Sequence, residues 1–158
     1  MSIESLEKSP QKASEVDFYR ETKVRYLGYA NEVGEALGAV YPRLVKPSYG
    51  LAFAYVFADT ADKVKKASQR GEPLRVQAQE GFDCLLWQTL ASVLIPGKVI
   101  NIVTHQTKHS LAKSVQASPL VKRWGPTCVG LATIPLIIKP IDDAVDYAFD
   151  NTLRRWKL

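Results

Sequence analysis

A chain of 158 residues has the length of one ordinary domain, and a single core is expected. With 46% hydrophobic and 23% charged residues and a mean hydropathy of −0.11, composition excludes a chain made mostly of membrane span, and two cysteines, Cys84 and Cys128, exclude a disulfide framework. Lys and Arg outnumber Asp and Glu by 21 to 16, and the resulting +5 and pI near 9.2 favour anionic partners, nucleic acid or acidic lipid.

Residues 1–16 are polar and acidic, with Glu4, Glu7 and Glu15 against Lys8 and Lys12. They have neither the apolar stretch of a secretory signal nor the arginines of a mitochondrial presequence, so a disordered tail and no cleavable leader are expected. From Asp17 onward Tyr19, Tyr26, Ala30, Val33 and Leu37 share one helical stripe, which predicts a first helix ending before Pro42. That helix contains Gly28, Gly34 and Gly38, each costing about 0.5–1 kcal/mol relative to Ala, so packing must hold it. Ala30, Gly34 and Gly38 form a small-residue face on which another helix can approach, the alternative being a turn after Asn31. Gly50 and Gly130 are further packing candidates.

Three uncharged runs follow, at residues 47–58, 84–97 and 124–138. At about 1.5 Å per residue they measure about 18, 21 and 22 Å, against about 30 Å for a bilayer's hydrocarbon core. By length alone they suit buried helices of a soluble bundle; lengthened by snorkelling Lys46, Lys98, Lys122, Arg123 and Lys139, they suit spans over about residues 44–61, 84–104 and 122–140. Pro96, Gly97, Pro135 and Pro140 are the expected helix breaks. Lys and Arg are spread over every connecting segment and set no orientation. Leu51-Ala52, Leu90-Ala91 and Leu131-Ala132 recur at a spacing of about 40, a faint sign of three similar helical units. Beyond the Pro140 break, Ile141, Val145, Phe149, Leu153 and Trp156 predict a separate amphipathic helix. Its acids lie early and its bases late, as the helix dipole favours, with Asp150 one turn before Arg154.

Little in the chain carries reaction chemistry. His105 and His109 stand four apart, but Gln106 replaces the glutamate of a zinc protease and no third ligand is evident. Asp142, Asp146 and Asp150 read as surface acids. A phosphate-binding glycine loop, a CxxC pair and a recognisable nucleophile are all missing, so an enzyme and a cofactor are not expected. Lys63, Lys65 and Lys66 form a basic cluster without interleaved aromatics or a nucleic-acid motif, which favours contact with anionic lipid, or plain solvation, over nucleic acid.

Residues 17–36, DFYRETKVRYLGYANEVGEA, resemble the opening signature of the mitochondrial fission process protein 1 family. The likeness continues through Ser48-Tyr49-Gly50, Ala58-Asp59, Asp62-Lys63, Trp87-Gln88, Leu90-Ala91-Ser92, Ile95-Pro96-Gly97, Thr133-Ile134-Pro135 and Pro140-Ile141-Asp142. It covers nearly the whole chain. The resemblance implies an all-α, multi-pass protein of the mitochondrial inner membrane, without catalytic residues, needed for mitochondrial division and morphology and linked in animals to apoptosis. Its partners would be inner-membrane lipid and components of the division machinery, with self-association open. Lys46 and Lys98 interrupt segments that look more apolar in the animal proteins, which bears on the span limits. A soluble helical protein-binding module is the alternative. Pro140-Ile141-Asp142 is also similar to the start of the solute-carrier signature, but Val145 occupies its basic position, and a small carrier-like transporter is the third reading.

Overall fold

A computed structural model describes residues 17–155, so the polar tail and Trp156 lie outside the described residues. Among the described residues every regular element is helical: α1 (Phe18–Glu21), a 3-10 turn (Lys23–Tyr29), α2 (Ala30–Leu37), α3 (Val45–Gln69), α4 (Leu74–Gln88), α5 (Ile95–Lys113) and α6 (Pro119–Asn151).

The expected first helix is broken in two. Thr22 is extended at φ −106°, ψ 172°, and its hydroxyl accepts from the Val24 amide while donating to the Phe18 carbonyl, which ends one helix and starts a tighter 3-10 turn. The expected apolar stripe is only partly covered: Tyr19 packs against the core and Ala30 and Leu37 are half-buried, but Tyr26 is 71% exposed and Val33 40%, while Asn31, Glu32, Gly34 and Ala36 are buried. The face that packs is therefore the small and polar one.

α3 and α4 are antiparallel neighbours joined at Gly71, whose φ of +74° suits glycine. The Glu72 amide bonds the Ala67 carbonyl and the Gly71 amide that of Ser68, closing the helix as a Schellman turn, and Pro73 leads into α4. α4 runs into α5 through a wide turn, Thr89–Leu94, in which the Ile95 amide reaches the Leu90 carbonyl five residues back. Pro96, which has no amide to donate, sits in the first turn after this widening, so Pro96 and Gly97 do not end the helix. The resulting Leu74–Lys113 stretch is 40 residues long, and its most apolar window has a mean hydropathy of 1.3.

α6 begins at a Ser118 cap with Pro119 in its first turn, and it runs through Pro126, Pro135 and Pro140 without a break. The separate helix expected after Pro140 is the end of this one. Packing at both ends holds it: Gly130 lies against Thr104 and Ala36, and Val145 and Phe149 join Trp87 and Ala91 in one core cluster. A second cluster unites Ala52, Tyr55, Val56 and Val93. α2 is wedged among α3, α5 and α6.

Candidate functional site

Polar side chains share the interior of this bundle with the two apolar clusters. Glu32, Asn31 and Asp59 are among its largest fully buried side chains, beside Ile100, Val56 and Val93. Outward, α3 exposes Leu51, Ala54, Phe57 and Ala58 between the exposed Lys46 and Lys65, and α6 exposes Val129, Leu131, Ala132 and Leu136 between the exposed Arg123 and Lys139.

The buried polar groups form two linked sets. In the first, Asp59 of α3 accepts from Gln88 Nε2 and, at 3.5 Å, from the Cys84 thiol, while the Ser92 hydroxyl donates to Gln88 Oε1 at 2.6 Å. In the second, Arg25 donates from Nη2 to Asp142 at 2.7 Å and from Nε to the Tyr29 hydroxyl at 2.6 Å, with its guanidinium 5.8 Å from the Tyr29 ring centroid. Burial, opposed by Arg25, raises the Tyr29 pKa. Glu32, fully buried one turn on, has no donor to either carboxyl oxygen; burial, then the nearby Asp142 charge, push its pKa up to about 8. Asn31 on the same helix donates to the Val93 carbonyl in the wide turn at 2.9 Å.

Between the two sets lies a cavity of about 390 Å³, walled by Tyr29, Tyr55, Trp87, Gln88 and Ser92 and rimmed by Lys139, Asp142, Asp143 and Asp146. Trp87 Nε1 donates to Asp146 at 2.9 Å, and Arg154 bridges Asp146, Asp150 and Asp83. Asp142 and Asp146 therefore tie α6 to the 3-10 turn and to α4, where sequence suggested surface acids. Glu32, Asp59, Gln88 and the Arg25–Asp142 pair escaped sequence reasoning. The available signal was a lone ionisable or amide residue amid small and apolar neighbours, as at Asp59 after the uncharged 47–58 run.

The glycines differ in their surroundings. A Cβ on Gly34 would overlap the Ser48 hydroxyl and lie 2.5 Å from its Cβ; one on Gly28 would meet the Tyr55 ring at 2.9 Å, and one on Gly38 Val45 at 3.0 Å. Gly130 faces the Ala36 Cα at 3.2 Å and Gly97 the Tyr49 hydroxyl at 2.6 Å, whereas Gly50 has nothing within 4 Å and makes no packing contact among the described residues. Ala30 is half-buried. Of the basic cluster, Lys63 pairs with Asp17 and Lys66 with Asp62, so Lys65 is the exposed member. His105 and His109 lie exposed on α5, and no group of three or more His, Cys, Asp or Glu able to hold a metal occurs among the described residues.

The family model described as Mitochondrial 18 KDa protein (MTP18) matches residues 16–83 and 80–149. The chain is 48% identical over 145 residues to mitochondrial fission process protein 1 of Caenorhabditis elegans, covering 88% of this chain and 87% of the relative. It is 45% identical over 150 residues to the Homo sapiens protein of that name, covering 91% and 90%, and 44% identical over 145 residues to that of Danio rerio, covering 89% and 88%. No solved structure matches. The matches span both halves of the bundle, including the α2 segment with Glu32 and the α6 segment with Asp142, and the chain belongs to the family of the mitochondrial 18 KDa protein and mitochondrial fission process protein 1.

Proposed function

We propose that this chain is a multi-pass protein of the mitochondrial inner membrane that serves mitochondrial division as a non-catalytic helical scaffold, spanning at about residues 44–61, 84–104 and 122–140. The observation that carries the membrane reading is the combination of buried polar side chains, Asn31, Glu32, Asp59, Gln88 and Thr127, with outward apolar ones, Leu51, Phe57, Leu131 and Leu136. Water would favour the reverse arrangement, whereas in lipid polar side chains turn to the bundle interior and apolar ones outward. The outward run on α3 from Pro47 to Ala61 is about 21 Å long, and snorkelling Lys46 and Lys65 extend it toward the bilayer's width. The role in division follows the relatives' name, mitochondrial fission process protein 1. One observation favours a soluble helical module instead: only Leu74–Lys113 among the described helices combines the length and hydropathy of a span. Alkaline carbonate extraction of isolated mitochondria separates the two. The membrane reading expects the protein in the pellet; recovery in the supernatant overturns it.

A further inference from the structure

We infer that the cavity between the 3-10 turn, α3, α4 and α6 binds an organic ammonium group, the chemistry shared by ethanolamine or choline phospholipid headgroups and free amines. Its volume of about 390 Å³ lies in the range of small-molecule sites, about 300–1,000 Å³. Its charge is of the right sign. Three carboxylates, Asp142, Asp143 and Asp146, face two cations, Arg25 and Lys139, in a chain whose net charge is +5. Each cation is engaged: Arg25 on Asp142, Lys139 on Asp143. Asp146 draws on Arg154, which it shares with Asp83 and Asp150 and which therefore neutralises it only in part.

The walls suit the same ligand. Tyr29 is taken by the Arg25 guanidinium, 5.8 Å from its ring centroid, which leaves the other aromatic walls for the ligand. Trp87, the strongest cation-binding ring type, lines the cavity with Tyr55 and is held by its bond to Asp146. Lys139 on the cavity lining, 83% exposed and next to the uncharged 124–138 run, would exchange Asp143 for a lipid phosphate. A phospholipid headgroup fits that position; the lipid source, though not the amine chemistry, rests on the membrane reading.

The test uses the full chain in a maltoside detergent with Trp124→Phe and Trp156→Phe, so that emission reports Trp87. It is titrated with ethanolamine, choline, short-chain phosphatidylethanolamine and short-chain phosphatidylglycerol at constant ionic strength. The proposal expects a saturable shift with the amines and with phosphatidylethanolamine, none with phosphatidylglycerol, and about tenfold weaker binding in Asp146→Asn, which keeps an acceptor for Trp87. Asp143→Asn at the rim, which leaves the wall intact, weakens binding in the same direction. Tighter binding of phosphatidylethanolamine than of ethanolamine assigns the lipid source; equal binding of both supports a soluble amine and leaves the membrane reading untouched. Equal responses to both phospholipids, indifference to both substitutions, or no saturable shift overturns the site, even where carbonate extraction leaves the protein in the pellet.

Discussion

Arg25 and Asp142 are 117 positions apart in the chain, yet they meet at 2.7 Å and join the start of the described fold to the last turns of its longest helix. Their side chains are 38% and 19% exposed, so the pair is worth more than a surface bridge and less than a fully buried one. Arg25→Ala and Asp142→Asn should each destabilise the detergent-solubilised protein by about 1 kcal/mol. A double-mutant cycle should return a coupling of at least about 0.5 kcal/mol. Additive single effects would show that the contact contributes nothing.

Gly34 and Gly50 offer a matched comparison. Leucine at Gly34 has to displace Ser48, and overpacking of this kind costs about 1–3 kcal/mol, more than the gain of up to about 1 kcal/mol in helix propensity. A Cβ at Gly50 meets nothing within 4 Å, so leucine there should collect the propensity gain without displacing a neighbour at its Cβ. Thermal unfolding should therefore drop for Gly34→Leu and hold or rise for Gly50→Leu. In cells lacking the native protein, the first variant should fail to restore network shape. Normal accumulation and rescue by Gly34→Leu would make that face ordinary helix surface.

Glu32 lies outside the proposed spans and titrates at about 8 in the folded chain, against about 4.3 in an unfolded one. The folded state thus holds its proton through a range in which the unfolded state has lost it. Stability from this group is full below about pH 4.3 and declines as pH rises to about 8. Glu32→Gln keeps the shape and removes the ionisation. Denaturation midpoints measured from pH 5 to 8 should fall with pH in the parent and flatten in the variant; parallel slopes would place the effect elsewhere.

Leu131 is 40% exposed in the middle of α6. On a soluble surface, Leu131→Arg would change stability by no more than about 0.5 kcal/mol. Facing lipid near a span's centre, the arginine costs about 2.5–3.5 kcal/mol of insertion. Reduced carbonate-resistant accumulation of Leu131→Arg, with Leu74→Arg at the exposed start of α4 unaffected, is the expected outcome. Equal accumulation of both would argue against lipid at α6.

The all-helical class was legible because long uncharged runs bounded by Pro, Gly and charge leave helices as the natural reading, and α3 and the first part of α6 stand where those runs predicted. Helix orientation was not legible. Periodicity puts Tyr26 and Val33 on one stripe with Tyr19, yet these two are exposed, and the packed face carries Asn31 and Glu32 beside Gly34. Pro140 misled for a related reason: proline alone predicts a break, but the contacts of Val145 and Phe149 with Trp87 and Ala91 carry α6 across it. The polar cavity depends on contacts such as Trp87–Asp146, 59 positions apart, which no local pattern encodes.

In the membrane reading the outward faces of α3 and α6 meet lipid. Spin labels at Leu51, Phe57, Leu131 and Leu136, with Cys128 replaced by alanine and the protein in liposomes, test it through power saturation with oxygen and a water-soluble nickel chelate. All four sites should favour oxygen, while a label at Leu74 or Val115, both exposed, should favour the chelate. Chelate access at the four sites equal to that at Val115 would contradict it.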